Sequence, residues 1–343
     1  MTAQPCEADV IAGLEPFASA EIVQRGGQHV RTMRQGVLNF SAARLAPFLD
    51  LKAVLSVYRL LRFDVPRPKA LLADQHQRYL LTQVDAVLSL YPPKTYRTFM
   101  LAAAGAHTPV MSRLRDAVAT HTGLQPVDES GDLLIRIRPS PLGNGWDVLV
   151  RISPRPLATR EWRVCNVDGA LQATVAHVMV TLTQPCSDDV YLNLCCGSGT
   201  LLIERALVGA VRRLIGCDVH PRALNCARRN IAAYLRGRSN IFELYPWDAR
   251  CLPLPDASVD AIVADLPFGS QVGSHAENLT LYPQIMREAR RVAKTGARFV
   301  VITAEVRLMQ GLVAQMADVW RCERVLRVNL GGLWPAIFVL RSA

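Results

Sequence analysis

The sequence predicts an α/β protein whose C-terminal half is a doubly wound, mostly parallel sheet. Three observations carry this. Beyond Asp168, short apolar runs alternate with longer amphipathic stretches, the rhythm of strand–helix units. Only Asn329-Leu-Gly-Gly332 separates the last two strands, too few residues for a crossover helix, so they form an antiparallel hairpin at the sheet edge. Before residue 155, Leu133, Ile135 and Ile137 alternate with polar or outward positions, as do Trp146, Val148, Val150 and Ile152. The turn Pro141-Leu-Gly-Asn-Gly145 joins the two runs into a hairpin.

In chain order, the N-terminal stretch reads as a small α/β unit. It has a strand around Asp9–Ala12, then a helix entered at Pro16 and stopped by Gly26-Gly27. A strand Gly36–Phe40, a short helix near Ala43–Leu49 and an apolar run Ala53–Phe63 complete it, and Val65–Lys69 reads as a linker. A second α/β unit follows from about residue 70. It contains a helix marked by Val110, Leu114, Ala117 and Val118 that ends at Gly123, and then the hairpin. Ser153–Leu157 is the next linker. The C-terminal strands are expected at Val190–Leu194, Arg213–Asp218, Asn240–Tyr245, Ala261–Asp265, Arg298–Thr303, Glu323–Val328 and Leu333–Leu340.

Composition bounds the function. Half of the 343 residues are hydrophobic and no run of about 18 apolar residues occurs, so neither a disordered chain nor a membrane-spanning helix is expected. The N-terminus lacks the basic and apolar regions of a secretory signal. Nine cysteines without CxxC pairs or Cys/His ligand spacing suggest reduced thiols in a cytoplasmic protein and no metal site. The net charge of +10 is spread as +6 over residues 1–160 and +4 over 161–343. A basic globule favours a polyanionic partner such as nucleic acid, although an Arg-rich, Lys-poor bias also follows from GC-rich coding.

Two motifs carry chemistry. Asn193-Leu-Cys-Cys-Gly-Ser-Gly-Thr200 joins a strand to a helix, where glycines let the backbone approach a ligand and the helix offers free N–H donors. Asp218, closing the next strand, is placed to accept hydrogen bonds from ribose hydroxyls. Leu202 stands where a dinucleotide fingerprint has its third glycine, so a nucleoside without pyrophosphate fits better, S-adenosylmethionine being the common one. Asp248 is either an adenine contact or a turn residue before Ala249-Arg250.

The second motif, Asp265-Leu-Pro-Phe-Gly269, ends the fourth strand at the switch point beside the first. Asp265 and a carbonyl of Leu266 or Pro267 can accept both protons of an exocyclic amine, while Phe268 offers a ring for a flat base. Such an amine is a poor nucleophile, so a methyl transfer to it depends on orienting its lone pair toward an activated methyl group. Whether Asp265 also removes a proton stays open. Cys195 and Cys196 read as packing residues and no cysteine lies in Asp265–Gly269, which disfavours a thiolate mechanism on a pyrimidine. His275, in the polar loop Ser270–Glu277, reads as a surface residue or a substrate contact.

Asn193–Glu204, Asp218 and Asp265–Gly269 together resemble the THUMP-domain tRNA guanine-N2-methyltransferases, a class I Rossmann-fold family that uses S-adenosylmethionine. Gly13-Leu-Glu15, Pro156-Leu and Arg160-Glu-Trp-Arg163 match elsewhere along the chain. The resemblance implies an N-terminal ferredoxin-like domain (1–66), a THUMP RNA-binding domain (67–155), a linker with a first helix (156–184) and a Rossmann-fold methyltransferase domain (185–343). It also implies that Asn193, Cys195, Gly197, Ser198, Gly199, Thr200, Asp218, Val219, Asp248, Ala249 and Asp265 surround the cofactor. Asp265, Leu266, Pro267 and Phe268 would then hold one flipped guanine of a tRNA gripped at its acceptor end, by residues such as Lys94, Arg97, Arg113 and Arg115 together with Arg136 and Arg138. Taken singly, each of these cations reads equally as part of a solvated face. Asn193 and Leu266 depart from the commoner Asp and Pro of relatives. The alternatives are a ribosomal-RNA guanine-N2 or adenine-N6 methyltransferase, or an inactive RNA-binding partner protein, and the need for an activating subunit is left open.

Overall fold

The computed structural model describes residues 3–237, 240–269 and 273–343. The chain divides into two compact units, one formed by the residues up to Val10 with Glu15–Ala158, the other by Ile11–Leu14 with Thr159–Ala343.

The first unit contains β1 (Gln4–Asp9), α1 (Glu15–Gln24), β2 (Gln28–Arg34), β3 (Val37–Ala42), β4 (Ser56–Phe63), α2 (Asp74–Leu88), β5 (Thr98–Ala103), α3 (Pro109–Thr122), β6 (Gln125–Pro126), β7 (Leu133–Pro139) and β8 (Trp146–Arg151). All eight strands lie in one sheet of order β2-β3-β1-β4-β8-β7-β5-β6. The segments 1–66 and 67–155, expected as separate domains, therefore share a sheet through the antiparallel β4–β8 pair, Tyr58↔Arg151 to Phe63↔Trp146. The β7–β8 hairpin and the C-cap of α3 at Gly123 (φ +72°) lie where the sequence puts them. The first strand instead runs from Gln4 to Asp9, because β1 must register with both β3 and β4. The expected helix at 43–49 shrinks to one 3₁₀ turn at Ala46–Phe48, and the 65–69 linker runs into a second 3₁₀ turn at Pro68–Leu72.

Arg136 and Arg138, offered above as phosphate contacts, are engaged by acids of this sheet. Arg138 donates to the buried carboxylate of Glu7 at 2.5 Å and lies 3.6 Å from that of Asp147, while Arg136 bonds Asp9 and the hydroxyl of Tyr58. Both side chains are partly exposed and act as counter-ions to acids of the same sheet.

The second unit contains α4 (Ala173–Leu182), β9 (Val190–Leu194), α5 (Thr200–Val208), β10 (Arg213–Cys217), α6 (Pro221–Leu235), β11 (Phe242–Tyr245), β12 (Val259–Asp265), α7 (His275–Val292), β13 (Ala293–Thr303), α8 (Val306–Gln315), β14 (Trp320–Arg327) and β15 (Ala336–Ser342). All seven expected strands are present, in the order β11-β10-β9-β12-β13-β15-β14. The pairs from β11 to β13 are parallel; β15 runs antiparallel to both β13 and β14, and the connection between β14 and β15 covers 328–335, longer than the expected Asn329–Gly332 but still too short for a crossover helix. Strands buried on both faces read as continuous apolar runs, and Tyr191, Leu192, Ile262 and Val263 are fully enclosed. Tyr282, Ile285, Met286 and Ala289 place one face of α7 in the same core. Gly13, counted with this unit, has φ +100°, and a Cβ there would lie 1.9 Å from the carbonyl oxygen of Arg327.

A buried ion cluster ties the segment before α4 to α5. Arg160 Nε donates to Glu204 Oε1 at 2.7 Å, and His177 Nδ1 lies 3.2 Å from Glu204 Oε2. Burial disfavours ionisation of Glu204, but the His177 hydrogen bond and the Arg160 charge outweigh it and hold the carboxyl below its ordinary range. The cysteines do not all stay reduced as expected, for Cys165 and Cys226 form a disulfide. They lie 61 residues apart, so only the packing of the 164–166 segment on α6 reveals the pair.

Replacing Glu204 by Gln leaves Arg160 buried with a weakened partner. Such a loss is worth about 3 kcal/mol at neutral pH. Because the folded-state pKa is depressed, this contribution is complete above the unfolded pKa and disappears as pH falls through the folded one. Denaturant titrations of the two proteins should converge in strongly acid solution.

Candidate active site

The glycine turn after β9 is bent by three left-handed residues, Cys195 (φ +50°), Gly197 (φ +53°) and Gly199 (φ +80°). Gly199 is needed for close packing as well, since a Cβ there would approach the Cβ of Ala227 on α6 to 3.2 Å. Around Gly197 the nearest atom to an added Cβ is the carbonyl oxygen of Cys195 at 4.0 Å, so this part of the turn faces open space.

Neighbouring side chains fix the turn. Asp218 Oδ2 accepts from Gly197 N–H and its Oδ1 from His220 N–H, each at 2.9 Å. Asn230 of α6 donates to the carbonyls of Ser198 and Cys165 and accepts from the N–H groups of Val164 and Cys165. Arg163 donates to Thr200 Oγ1 at 2.8 Å and to the carbonyl of Leu171. Asn193 is fully buried and donates to the carbonyl of Leu194, yet its Oδ1 meets no donor among the described residues. Burial pushes the thiols of Cys195 and Cys196 well above the ordinary range, so both stay protonated.

Asp248 follows β11, and its carboxylate is taken by Arg250, which reaches both oxygens through its guanidinium and one through its backbone N–H. The turn reading of Asp248 is therefore realised in the structure, and that hydrogen bonding lowers its pKa. Ala249 is buried, whereas Val219 is exposed. Tyr245 and Trp247 stack with ring centroids 3.9 Å apart, an aromatic pair beside Asp248 that the sequence reading missed. Its signal was the i, i+2 spacing at a strand end.

The fourth-strand motif lies at the sheet switch point. Ala264 pairs with Leu194 on one side and Asp265 with Ile302 on the other, so Asp265 emerges beside the glycine turn. No hydrogen bond reaches the Asp265 carboxylate from the described residues, and desolvation raises its pKa to about 7. Leu266 is buried and its N–H bonds the carbonyl of Ile302, while Phe268 is partly exposed.

Pro267 requires a correction. Its carbonyl accepts from Tyr282 Oη at 2.6 Å and from Asn278 Nδ2 at 3.0 Å, so it is not an open acceptor for a substrate amine. Among the described residues no side chain donates to the Leu266 carbonyl, which leaves it as the acceptor of that pair. His275 is exposed, as its surface reading expects, but it does not lie in a loop. It opens α7 and pairs with Glu305 at 2.9 Å, whereas residues 270–272 of the expected loop lie outside the described set. No group of three or more His, Cys, Asp or Glu side chains suited to a metal ion occurs among the described residues.

In the first unit, Arg113 and Arg115 of the expected RNA contacts lie on α3. Arg113 lines a cavity of 690 Å³ with Arg67, Lys69 and Leu72, and Lys94 and Arg97 are not part of its wall. Arg115 pairs instead with Asp128 at 3.4 Å. Arg67 and Lys69 sit in the stretch read as a linker, which hid them.

A parallel sheet with a glycine turn after its first strand and a carboxylate beside it after its fourth defines the class I nucleoside-binding methyltransferase architecture. Residues 160–336 match the UPF0020 family of RMKL-like methyltransferase domains, and the chain belongs to that family. Among its relatives, the mouse tRNA (guanine(6)-N(2))-methyltransferase THUMP3 is 36% identical over 182 residues, covering 50% of this chain and 36% of the relative. The tRNA (guanine(6)-N2)-methyltransferase of Methanocaldococcus jannaschii is 26% identical over 221 residues, covering 54% of this chain and 57% of the relative. The chain thus spans about a third of the length of the mammalian relatives it matches. The fold of TrmN from Thermus thermophilus aligns over 99% of this chain and 100% of its own with a TM-score of 0.75, at 22% identity. No helix among the described residues is long and apolar enough to cross a membrane.

Asp265 is held where its ionised form is costly. A raised carboxyl pKa means that this cost is absent below the unfolded pKa and complete above about 7. Asp265→Asn should therefore stabilise the protein by about 2 kcal/mol at pH 8, after discounting for residual solvent access. The same comparison at pH 4 should show little difference.

Proposed function

We propose that this protein transfers a methyl group from S-adenosylmethionine to the exocyclic N2 of a guanine in tRNA. The observation that carries the reading is the Asp265 carboxylate, unpartnered among the described residues and beside the glycine turn, with the Leu266 carbonyl next in the chain. Two acceptors side by side match two N–H protons of one amine. The names of the mouse and archaeal relatives support guanine as the base and tRNA as the carrier.

The residues fit the cofactor. The open space around Gly197 admits the methionine portion, and the orphaned Asn193 Oδ1 is an acceptor suited to an ammonium group. Asp218, already fixed by two backbone N–H groups, has lone pairs left for ribose hydroxyls. Asp248 serves the adenine amine only by sharing its carboxylate with Arg250. When bound, S-adenosylmethionine supplies an activated methyl on a sulfonium.

The protein's task is then orientation. Asp265 and Leu266 hold the amine protons, turning the nitrogen lone pair toward the methyl position, and Phe268 stacks on the base. Asp265 stabilises the positive charge that grows on nitrogen, an interaction stronger in the transition state than in the ground state. Its raised pKa keeps it close enough to neutrality to accept the proton that the product must lose.

The ferredoxin-like and THUMP assignments of 1–66 and 67–155 belong to this proposal, as does grip of the tRNA acceptor end. The cavity lined by Arg67, Lys69 and Arg113 supports a phosphate-binding role in that half of the chain. A cytoplasmic setting suits a tRNA substrate.

Incubation with labelled S-adenosylmethionine and bulk tRNA should yield N2-methylguanosine on nucleoside analysis. The rate should climb as pH rises through about 7, and Asp265→Ala should lower it by about a hundredfold or more. Label found only in N6-methyladenosine, or only when ribosomal RNA replaces tRNA, would overturn the substrate assignment. Separately, Arg67→Ala with Arg113→Ala should weaken tRNA binding and make its dependence on salt shallower, by about one unit of slope per lost phosphate contact. A salt slope equal to wild type would remove this cavity from the tRNA path.

A further inference from the structure

The methyltransferase reading leaves unexplained a chain of buried hydroxyl and amide groups behind the Asp265–Gly269 turn. Tyr282, Asn278 and Thr303 are each fully buried. Tyr282 Oη lies 2.6 Å from the carbonyl oxygen of Pro267 and 2.7 Å from Thr303 Oγ1. The backbone N–H of Glu305 in turn donates to Thr303 Oγ1 at 2.9 Å.

Proton counting fixes the direction of this chain. Carbonyl oxygen only accepts, so Tyr282 must donate its single proton to Pro267. Its oxygen is then free to accept from Thr303, whose own oxygen accepts from Glu305 N–H. Each bond polarises the next in the same sense, which strengthens the last of them, the one on the turn. Burial pushes the Tyr282 hydroxyl well above its ordinary pKa and keeps it a donor throughout the working pH range. Asn278 adds a second donor to the same carbonyl.

We infer that Tyr282, backed by Thr303 and joined by Asn278, is a positioning element that withdraws the Pro267 carbonyl from the site and thereby makes Leu266 the backbone acceptor of the substrate amine. This rests on the proposed methyl transfer to a ring amine and deepens it. The turn offers two successive carbonyls, and an amine that could choose between them would have two orientations, only one with its lone pair in line with the methyl group. Two donors on Pro267 remove the wrong choice before substrate arrives. The role is a geometric one, and Tyr282 itself touches neither substrate nor cofactor.

The test compares Tyr282→Phe, Thr303→Val and Thr303→Ser with wild type in the full chain, using labelled S-adenosylmethionine and tRNA. Tyr282→Phe keeps the ring in the core and deletes only the donor. It should lower kcat by about ten- to a hundredfold, the scale on which small misplacements act, while KM for tRNA and cofactor binding measured by calorimetry stay within about twofold. Thr303→Val should produce a smaller loss in kcat, and Thr303→Ser, which restores the hydroxyl, should recover the wild-type rate. Unchanged kcat in Tyr282→Phe would overturn the inference. So would a loss that Thr303→Ser reproduces in full, or one that comes with equal damage to KM and cofactor affinity, since those outcomes describe general loosening of the core. A wild-type protein that methylates no RNA guanine would instead count against the proposed function, so the two failures are separable.

Discussion

One buried amide organises the cofactor side of this molecule. Asn230 uses both its acceptor and its donor capacity, receiving two backbone N–H groups from Val164 and Cys165 and donating to the carbonyls of Cys165 and Ser198. Left unpaired, those polar groups would each carry a desolvation penalty, so the amide and its partners form as a set or not at all. Through it, helix α6 holds both the glycine turn and the strap that precedes α4. The Cys165–Cys226 link, one helical turn upstream, ties the same two elements covalently. The turn's three left-handed residues are tolerated because the surroundings leave them no alternative.

The opposite side of the site depends on a carboxylate that no donor reaches among the described residues. Most buried acids in this protein are matched: Glu204 with Arg160 and His177, Glu7 with Arg138. Half-buried Asp265 at the switch point has no such partner among the described residues, and its raised pKa records the cost of that placement. A group held unsatisfied at a strand end is how a fold stores the capacity to bind something that brings donors.

Much of this was legible in the sequence, and the reasons differ by element. Strands buried on both faces announce themselves as apolar runs, which is why β9, β10, β12 and β15 are legible, and the short 328–335 connection leaves no room for a crossover helix at the edge hairpin. The glycine turn and Asp265-Leu-Pro-Phe were visible because each needs particular residue types at fixed spacing. Partnerships across long separations were not visible. Nothing in the spacing of Cys165 and Cys226, or of Arg138 and Glu7, distinguishes a bonded pair from two independent residues. Tyr282 escaped notice because a tyrosine on the apolar face of a helix reads as core, and only its hydroxyl's partner shows otherwise. Strand β2, with its polar residues and irregular register, gave no periodic signal.

The eight-stranded sheet of the first unit also bears on how this architecture can be taken apart. Strand β4 has β1 on one side and β8 on the other, so the seam between residues 66 and 67 runs through the middle of a hydrogen-bonded ladder. Splitting the polypeptide there would bare two long, apolar strand margins that invite adhesion to other chains. A protein engineer seeking to move this unit elsewhere would therefore have to transplant the whole sheet.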